Sequence, residues 1–315
     1  MTEQFSPEVA ISGATGTGRA AVIGLGSMGY GMAQSLKRAG FDVAGFDVNA
    51  AAVERFAAEG GRGASSPAEA ARDADVVVSV VVNAAQTETI LFGADGVAQT
   101  LADGAVFLSS ATMDPEVART LAARLEATGR LYLDAPISGG AQRAAEGALT
   151  ILASGSPAAF AKARPALDAM AAKLYELGDA PGQGAAFKMI NQLLAGVHIA
   201  AASEAVAFAA RQGLDIAKVY EVITASAGNS WMFENRMPHV VDGDYTPRSA
   251  VDIFVKDLGI IQDMARSAKF PVPVSAAALQ MFLATSAAGM GRDDDASVAR
   301  LYARITGTKL PGDPA

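Results

Sequence analysis

Short apolar runs alternate with longer segments of helical periodicity over roughly the first 180 residues, and then the alternation stops. Residues 20–23 form an apolar run ending in glycine, and the spacing predicts a helix over 28–39 with Gly40 as its stop signal. A second strand is predicted over 43–46, ending at Asp47, and a helix over 50–58. The valine-rich run 76–82 has the character of a strand buried on both faces. Further strands are predicted over 105–109, 131–133 and 150–153, with helices over 115–127 and 157–171. This alternation specifies an α/β domain built on a doubly wound parallel sheet. From Gly184 onward the pattern is helical. Residues 187–212 are alanine-rich, apolar and free of proline, and helices are also predicted over 215–227, 249–267 and 273–288. A helix apolar on most faces must be covered, by its own domain or by another subunit. The expected organisation is a flexible arm over 1–18, an α/β domain over 19–182 and an all-helical domain over 183–315, fraying after Thr306.

Composition narrows the chemistry. With 51% hydrophobic and 18% charged residues, 315 residues can bury a large core in about two domains. A net charge of -8 without a basic patch argues against nucleic acid as a partner. The chain has no cysteine, which excludes disulfides, thiolate metal sites and thiol nucleophiles. Its two histidines, His198 and His239, lie far apart and read as structural. Asp293, Asp294 and Asp295 read as a solvated loop or helix start, so no metal is expected. No run of 18 apolar residues is apparent and the N-terminus does not resemble a secretory signal, so no membrane association and a cytoplasmic location are expected.

Gly24, Leu25, Gly26, Ser27, Met28 and Gly29 form G-x-G-x-x-G directly after a strand and at the opening of a helix. The first glycine allows the tight turn, the second a close approach of backbone to a pyrophosphate, and the third close packing of helix on strand. The helix N-terminus supplies N–H donors to the phosphates. Asp47 follows Gly26 by 21 residues, at the end of the second strand, where a carboxylate accepts the adenosine ribose hydroxyls. It would repel a 2′-phosphate, so the cofactor expected is NAD. A second glycine-rich stretch, Gly13 to Gly18, runs into a strand rather than a helix and reads as a linker.

Four segments of the remaining chain carry candidate chemistry. Asp134-Ala135-Pro136-Ile137-Ser138-Gly139-Gly140 offers a hydroxyl and unobstructed backbone N–H groups suited to a carboxylate, although it also reads as an ordinary loop. Lys188 enters the long apolar helix after Gly182 and Gly184. Apolar surroundings would lower its pKa and fit it for proton transfer, but alone it reads more readily as a lysine snorkelling to the surface. Lys256 and Asp257 alone read as a solvated pair, and Thr112 as a helix-start residue on the rim where ligands bind in such sheets.

The order GLGSMG, DAPISGG, a lysine after a glycine-rich turn, then KDLG resembles the β-hydroxyacid dehydrogenase family, over about residues 20–300. The resemblance implies a Rossmann domain followed by a helical domain, an active site in the cleft between them, and a homodimer or homotetramer. It implies that Lys188 takes the hydroxyl proton as hydride leaves for the nicotinamide, and that Ser138, Gly139 and Gly140 hold the substrate carboxylate. It also implies that Thr112, Lys256, Val82 and Gln86 contact the cofactor. Many relatives have asparagine four residues after the lysine; here Gln192 stands there, with Asn191 before it. Many carry Gly-Phe near the KD motif; the equivalents here are Arg248 and Ser249. Both changes add hydrogen-bonding capacity, which favours a small polyhydroxylated acid of four carbons over one bearing a methyl group. The segments 188–205 and 227–259 narrow the resemblance in the same direction. The competing expectations are a reductase of tartronate semialdehyde, a 3-hydroxyisobutyrate-type dehydrogenase, an imine reductase, or a binding module that has lost its chemistry. Lys188 argues against the last two.

Overall fold

The computed structural model describes residues 18–313; the arm and the glycine-rich turn at 13–17 lie outside them. The chain divides into two compact units, one ending at Lys188 and the other beginning at Met189.

The first unit runs β1 (Arg19–Ile23), α1 (Gly29–Arg38), β2 (Asp42–Phe46), α2 (Ala50–Ala58), β3 (Arg62–Gly63), α3 (Pro67–Ala71), β4 (Val76–Ser79), α4 (Ala84–Phe92), β5 (Val106–Ser109), α5 (Pro115–Glu126), β6 (Leu131–Asp134), β7 (Ile137–Ser138), α6 (Gly140–Glu146), β8 (Leu149–Gly155), α7 (Pro157–Met170) and β9 (Ala171–Glu176). The strand order is β3-β2-β1-β4-β5-β6-β8-β7, with β9 paired to β8. The first six are parallel, Ala20 standing opposite both Val43 and Val76. The sheet is not parallel throughout: β8 runs antiparallel to β6 and to β7. One core cluster around Val22, Met32, Leu36 and Leu108 packs on one face of the sheet. A second, around Ile23, Val77, Phe107 and Leu121, packs on the other. Covered on both faces, the central strands are apolar apart from their end residues Arg19, Ser79 and Ser109, which is why they are legible as continuous runs.

The valine run departs from expectation. β4 ends at Ser79, and Val80 turns out of the sheet with its N–H still on Ile23 O, 2.8 Å away. Val81 and Val82 therefore form a loop beyond the strand's C-terminal end, and Val82 is exposed. The helices α3 and α6, of 5 and 7 residues, are too short for periodicity to identify, and α4, as long as α2, lacks its segregation of apolar and polar positions. Ser66 and Asn83 nonetheless cap α3 and α4 through their side chains.

α8 (Gln183–Arg211) starts in the first unit and continues into the second. By length and composition it is apolar enough to cross a membrane, contrary to the reading that no segment is, yet 44% of its most apolar stretch is buried, as in a core helix. The second unit adds α9 (Ile216–Thr224), α10 (Trp231–Asp242), α11 (Val251–Ser267), α12 (Pro273–Thr285) and α13 (Val298–Thr306). α10 was hidden by Pro238 in its interior; Ser230 caps it by accepting the Phe233 N–H. Met232 and Phe233 belong to the core while Trp231 is exposed.

Two expectations for this unit are corrected. Asp294 and Asp295 are wholly buried rather than solvated. Asp295 pairs with Arg236 at 2.7 Å, and Asp294 with His239 Nδ1 at 2.8 Å. Burial pushes Asp295 up to about 6, with Arg236 offsetting part of that cost. Burial would also raise Asp294, but the bonds from His239 and the Arg248 N–H hold it below the usual carboxylate range. The tail does not fray at Thr306: Leu310 is buried and Arg300 binds Asp313 at 3.3 Å.

Candidate active site

The glycine loop between β1 and α1 is built by exclusion. A Cβ on Gly24, whose φ is +95°, would lie 2.2 Å from Val80 O, and one on Gly29 would lie 1.8 Å from Gly24 O. Neither position admits a side chain. A Cβ on Gly26 would meet nothing within 4 Å. Gly24 and Gly29 are thus consumed by the fold, while the space over Gly26 is open for a ligand to approach the backbone. Asp47 closes the loop: one carboxylate oxygen accepts the Leu25 N–H at 2.6 Å and the other the Asn49 N–H at 2.8 Å. Each oxygen keeps a second lone pair for a hydroxyl. An open loop, an acid at the tip of β2 and the reversal of strand order between β1 and β4 together fit a dinucleotide. Val82 and Gln86 stand at the same end of the sheet, joined by the Val82 N–H to Gln86 Oε1 bond of 2.8 Å. Thr112 lies in the loop after β5; the residue that caps α5 is Asp114.

Lys188 is not the surface lysine its sequence context suggested. It is 7% exposed, and its ammonium donates to Ile137 O at 2.8 Å. Ser138, Gly139 and Gly140 follow immediately. Gly139 and Gly140 have φ of +138° and +79°, and nothing stands within 4 Å of where a Gly140 Cβ would be. The structure therefore brings the lysine and the Ser-Gly-Gly loop together within the first unit.

Two residues of this region had no role in the sequence reading. Asp134, at the end of β6, accepts the N–H groups of Gly182 and Ala185 at 3.0 and 2.8 Å. Ser154 on β8 donates to Asp134 at 3.3 Å and accepts the Gly184 N–H at 2.9 Å. Burial pushes the Asp134 carboxyl up to about 6, while these N–H and hydroxyl donors work against the shift. Asp134 opens the DAPISGG segment, but its partners lie some 50 residues downstream, out of reach of any local pattern.

In the second unit, Asn191 donates to Gln192 at 2.9 Å, Gln192 donates to Asp257 at 2.5 Å, and Lys256 forms an ion pair with the other Asp257 oxygen at 2.7 Å. Lys256 and Asp257 are therefore not a solvated pair; Asp257 is 1% exposed. Arg248 Nη1 reaches His239 Nε2 at 2.7 Å. The tautomer that satisfies both of that ring's bonds carries its proton on Nδ1, towards Asp294. Ser249 stands against buried Asp295, whose N–H it accepts at 2.8 Å. Among the described residues no group of three or more histidines and carboxylates could hold a metal.

This is the architecture of the β-hydroxyacid dehydrogenases, and the chain belongs to that family. Residues 19–178 match the NAD binding domain of 6-phosphogluconate dehydrogenase, and 182–302 the NAD-binding domain of NADP-dependent 3-hydroxyisobutyrate dehydrogenase. More particularly, the chain is 55% identical over 92% of its length to L-threonate dehydrogenase of Cupriavidus necator, covering 97% of that protein. It is 49% identical to the Escherichia coli K12 L-threonate dehydrogenase, covering 92% of this chain and 96% of that one. A crystal structure from Salmonella typhimurium described as 3-hydroxyisobutyrate dehydrogenase superposes with a TM-score of 0.87 at 51% identity, over 90% of this chain and all of the other.

Proposed function

We propose that this protein oxidises L-threonate at C2 to the 2-oxo acid with NAD, Lys188 serving as the base. The observation that carries the reading is the Lys188 amine, buried on Ile137 O one residue before Ser138, Gly139 and Gly140. The relatives in Cupriavidus and Escherichia support the substrate, as do the polar residues Asn191, Gln192 and Arg248.

The substrate carboxylate would take the Ser138 hydroxyl and the uncovered N–H groups of Gly139 and Gly140. Its C2 hydroxyl would then face Lys188, which in its neutral form accepts the proton as the C2 hydrogen departs. Ile137 O holds the amine in place and receives a hydrogen bond in either protonation state. Bound NAD supplies the hydride acceptor. Gly24 to Gly29 would hold its pyrophosphate and Asp47 its adenosine ribose, with Val82, Gln86, Thr112 and Lys256 as further contacts. The Asp47 carboxylate disfavours a 2′-phosphate by like-charge repulsion. Gln192, buried and bonded to Asn191 and Asp257, would keep one N–H for an outer hydroxyl, and the exposed Asn191 and Arg248 would add further contacts.

Steady-state rates with L-threonate, glycerate and 3-hydroxyisobutyrate, each with NAD and NADP, test this reading. L-Threonate with NAD should exceed every other pairing in kcat/KM by about 100-fold, a difference of the size that unpaired buried polar groups produce. Preference for 3-hydroxyisobutyrate, or for NADP, would refute it.

A homo-oligomer belongs to the same reading. Phe187, Ile190 and Leu194 lie exposed at i, i+3 and i+7 on one face of α8. That face continues into an apolar groove of about 860 Å³ lined by His198, Ala201, Ala205, Leu214, Val222 and Phe233. A ridge and a groove on one helix suit a two-fold contact with a second copy. Sedimentation velocity should give a dimer or tetramer that Leu194→Asp dissociates; a monomeric wild type at micromolar concentration would rule this out.

A further inference from the structure

A carboxylate that is 1% exposed and held by N–H groups and a hydroxyl is costly to bury. Asp134 occupies such a position, where an apolar residue would fill a strand end at lower cost. What it does there is visible in its partners. It accepts the N–H groups of Gly182 and Ala185, on either side of the residue that opens α8, and Ser154 takes the intervening Gly184 N–H. These are donors that a helix start leaves unsatisfied. A Cβ on Gly184 would fall 2.3 Å from Leu152 O and 3.0 Å from Asp134 O, so the helix start lies directly on β6 and β8 without room to slide.

The same short segment grips the helix twice. Asp134 holds Ala185, and three residues later Ile137 O receives the amine of Lys188, itself three residues beyond Ala185. Two contacts at matched spacing set both the register of the first turn and the place of the lysine within it. A register shift of one residue would move the lysine by about 1.5 Å along the helix axis, and a misplacement of about 1 Å costs on the order of 100-fold in rate.

We propose that Asp134, supported by Ser154, is a positioning residue for hydroxy-acid oxidation: it locks the start of α8 so that Lys188 is held on Ile137 O beside the Ser138–Gly140 loop. This rests on the reading of Lys188 as the base. Asp134 touches neither substrate nor cofactor in this account, and it acts through the helix alone.

The test uses the full chain with NAD and L-threonate, comparing Asp134→Asn and Ser154→Ala with wild type. kcat should fall about 30-fold or more for Asp134→Asn and several-fold for Ser154→Ala, with KM for NAD unchanged within about twofold. A second readout is independent of turnover. Acetylation of Lys188 by acetic anhydride, measured by peptide mass spectrometry relative to Lys162, should rise at least about fivefold as the amine loses its fixed burial. General destabilisation would raise Lys188 labelling only together with a lowered melting temperature, which a thermal melt of each variant records alongside. Where Asp134→Asn does not fold, Ser154→Ala carries the comparison. Folded variants with kcat within twofold of wild type and an unchanged labelling ratio would overturn the proposal. Should Lys188→Ala retain activity, the role of the lysine as base fails, yet the labelling ratio still reports whether Asp134 holds it.

Discussion

Lys188→Ala should lower kcat for L-threonate oxidation by about 10²- to 10⁴-fold, the range expected when a positioned acid–base group is removed. NAD affinity should stay within about twofold, because the glycine loop and Asp47 make their own closed set of bonds. The fold should survive, since the stranded Ile137 O costs about 1–3 kcal/mol. Rapid-mixing kinetics together with NAD titration by fluorescence separate the two quantities. A variant that turns over at a tenth of the wild-type rate would show that the proton leaves by another route. The size of this effect follows from geometry: the amine is buried and anchored on a carbonyl, so water is a poor substitute in its place.

Gly26→Ala and Gly29→Ala should separate the two uses of glycine in the first loop. At Gly26 an added methyl group meets nothing within 4 Å, so stability should change by less than about 0.5 kcal/mol. The same methyl occupies the space through which a pyrophosphate approaches the backbone, and NAD affinity should fall about tenfold or more. At Gly29 the methyl would sit 1.8 Å from Gly24 O, where the obstacle is backbone and cannot swing away. That variant should lose about 2–3 kcal/mol or more, as overpacked cores do, and NAD binding with it. Thermal melts with and without NAD measure both effects. Equal losses of stability at the two positions would contradict the assignment of Gly26 to the ligand.

The parallel core of the sheet was legible because strands buried on both faces carry unbroken apolar runs, as 76–78 and 106–108 do before their closing serines. The antiparallel strands β7 and β8 were less so: β7 is two residues long, too short to show a period. The cofactor loop could be read because its chemistry is local, with three glycines and one acid at defined offsets. Lys188 could be found but not understood, since nothing near it in sequence states that its amine reaches back 51 residues to Ile137. Asp134, Ser154, Asp257 and the buried pair Asp294 and Asp295 were hidden for the same reason. Each is a polar residue whose burial is set by partners distant in the chain, and an acid in a run of acids looks solvated until its partners, here His239 and Arg236, are known. Family resemblance filled part of that gap for Lys188 and left it open for the others.

Hydride transfer from C2 of L-threonate to NAD is the step on which the proposed function turns. Purified protein given NAD and L-threonate deuterated at C2 should form deuterated NADH, with a turnover lower than that for the unlabelled acid and deuterium recovered in the nicotinamide ring by mass spectrometry. NADH formed without deuterium would move the oxidised carbon away from C2, and no NADH above background would contradict the assignment of L-threonate altogether.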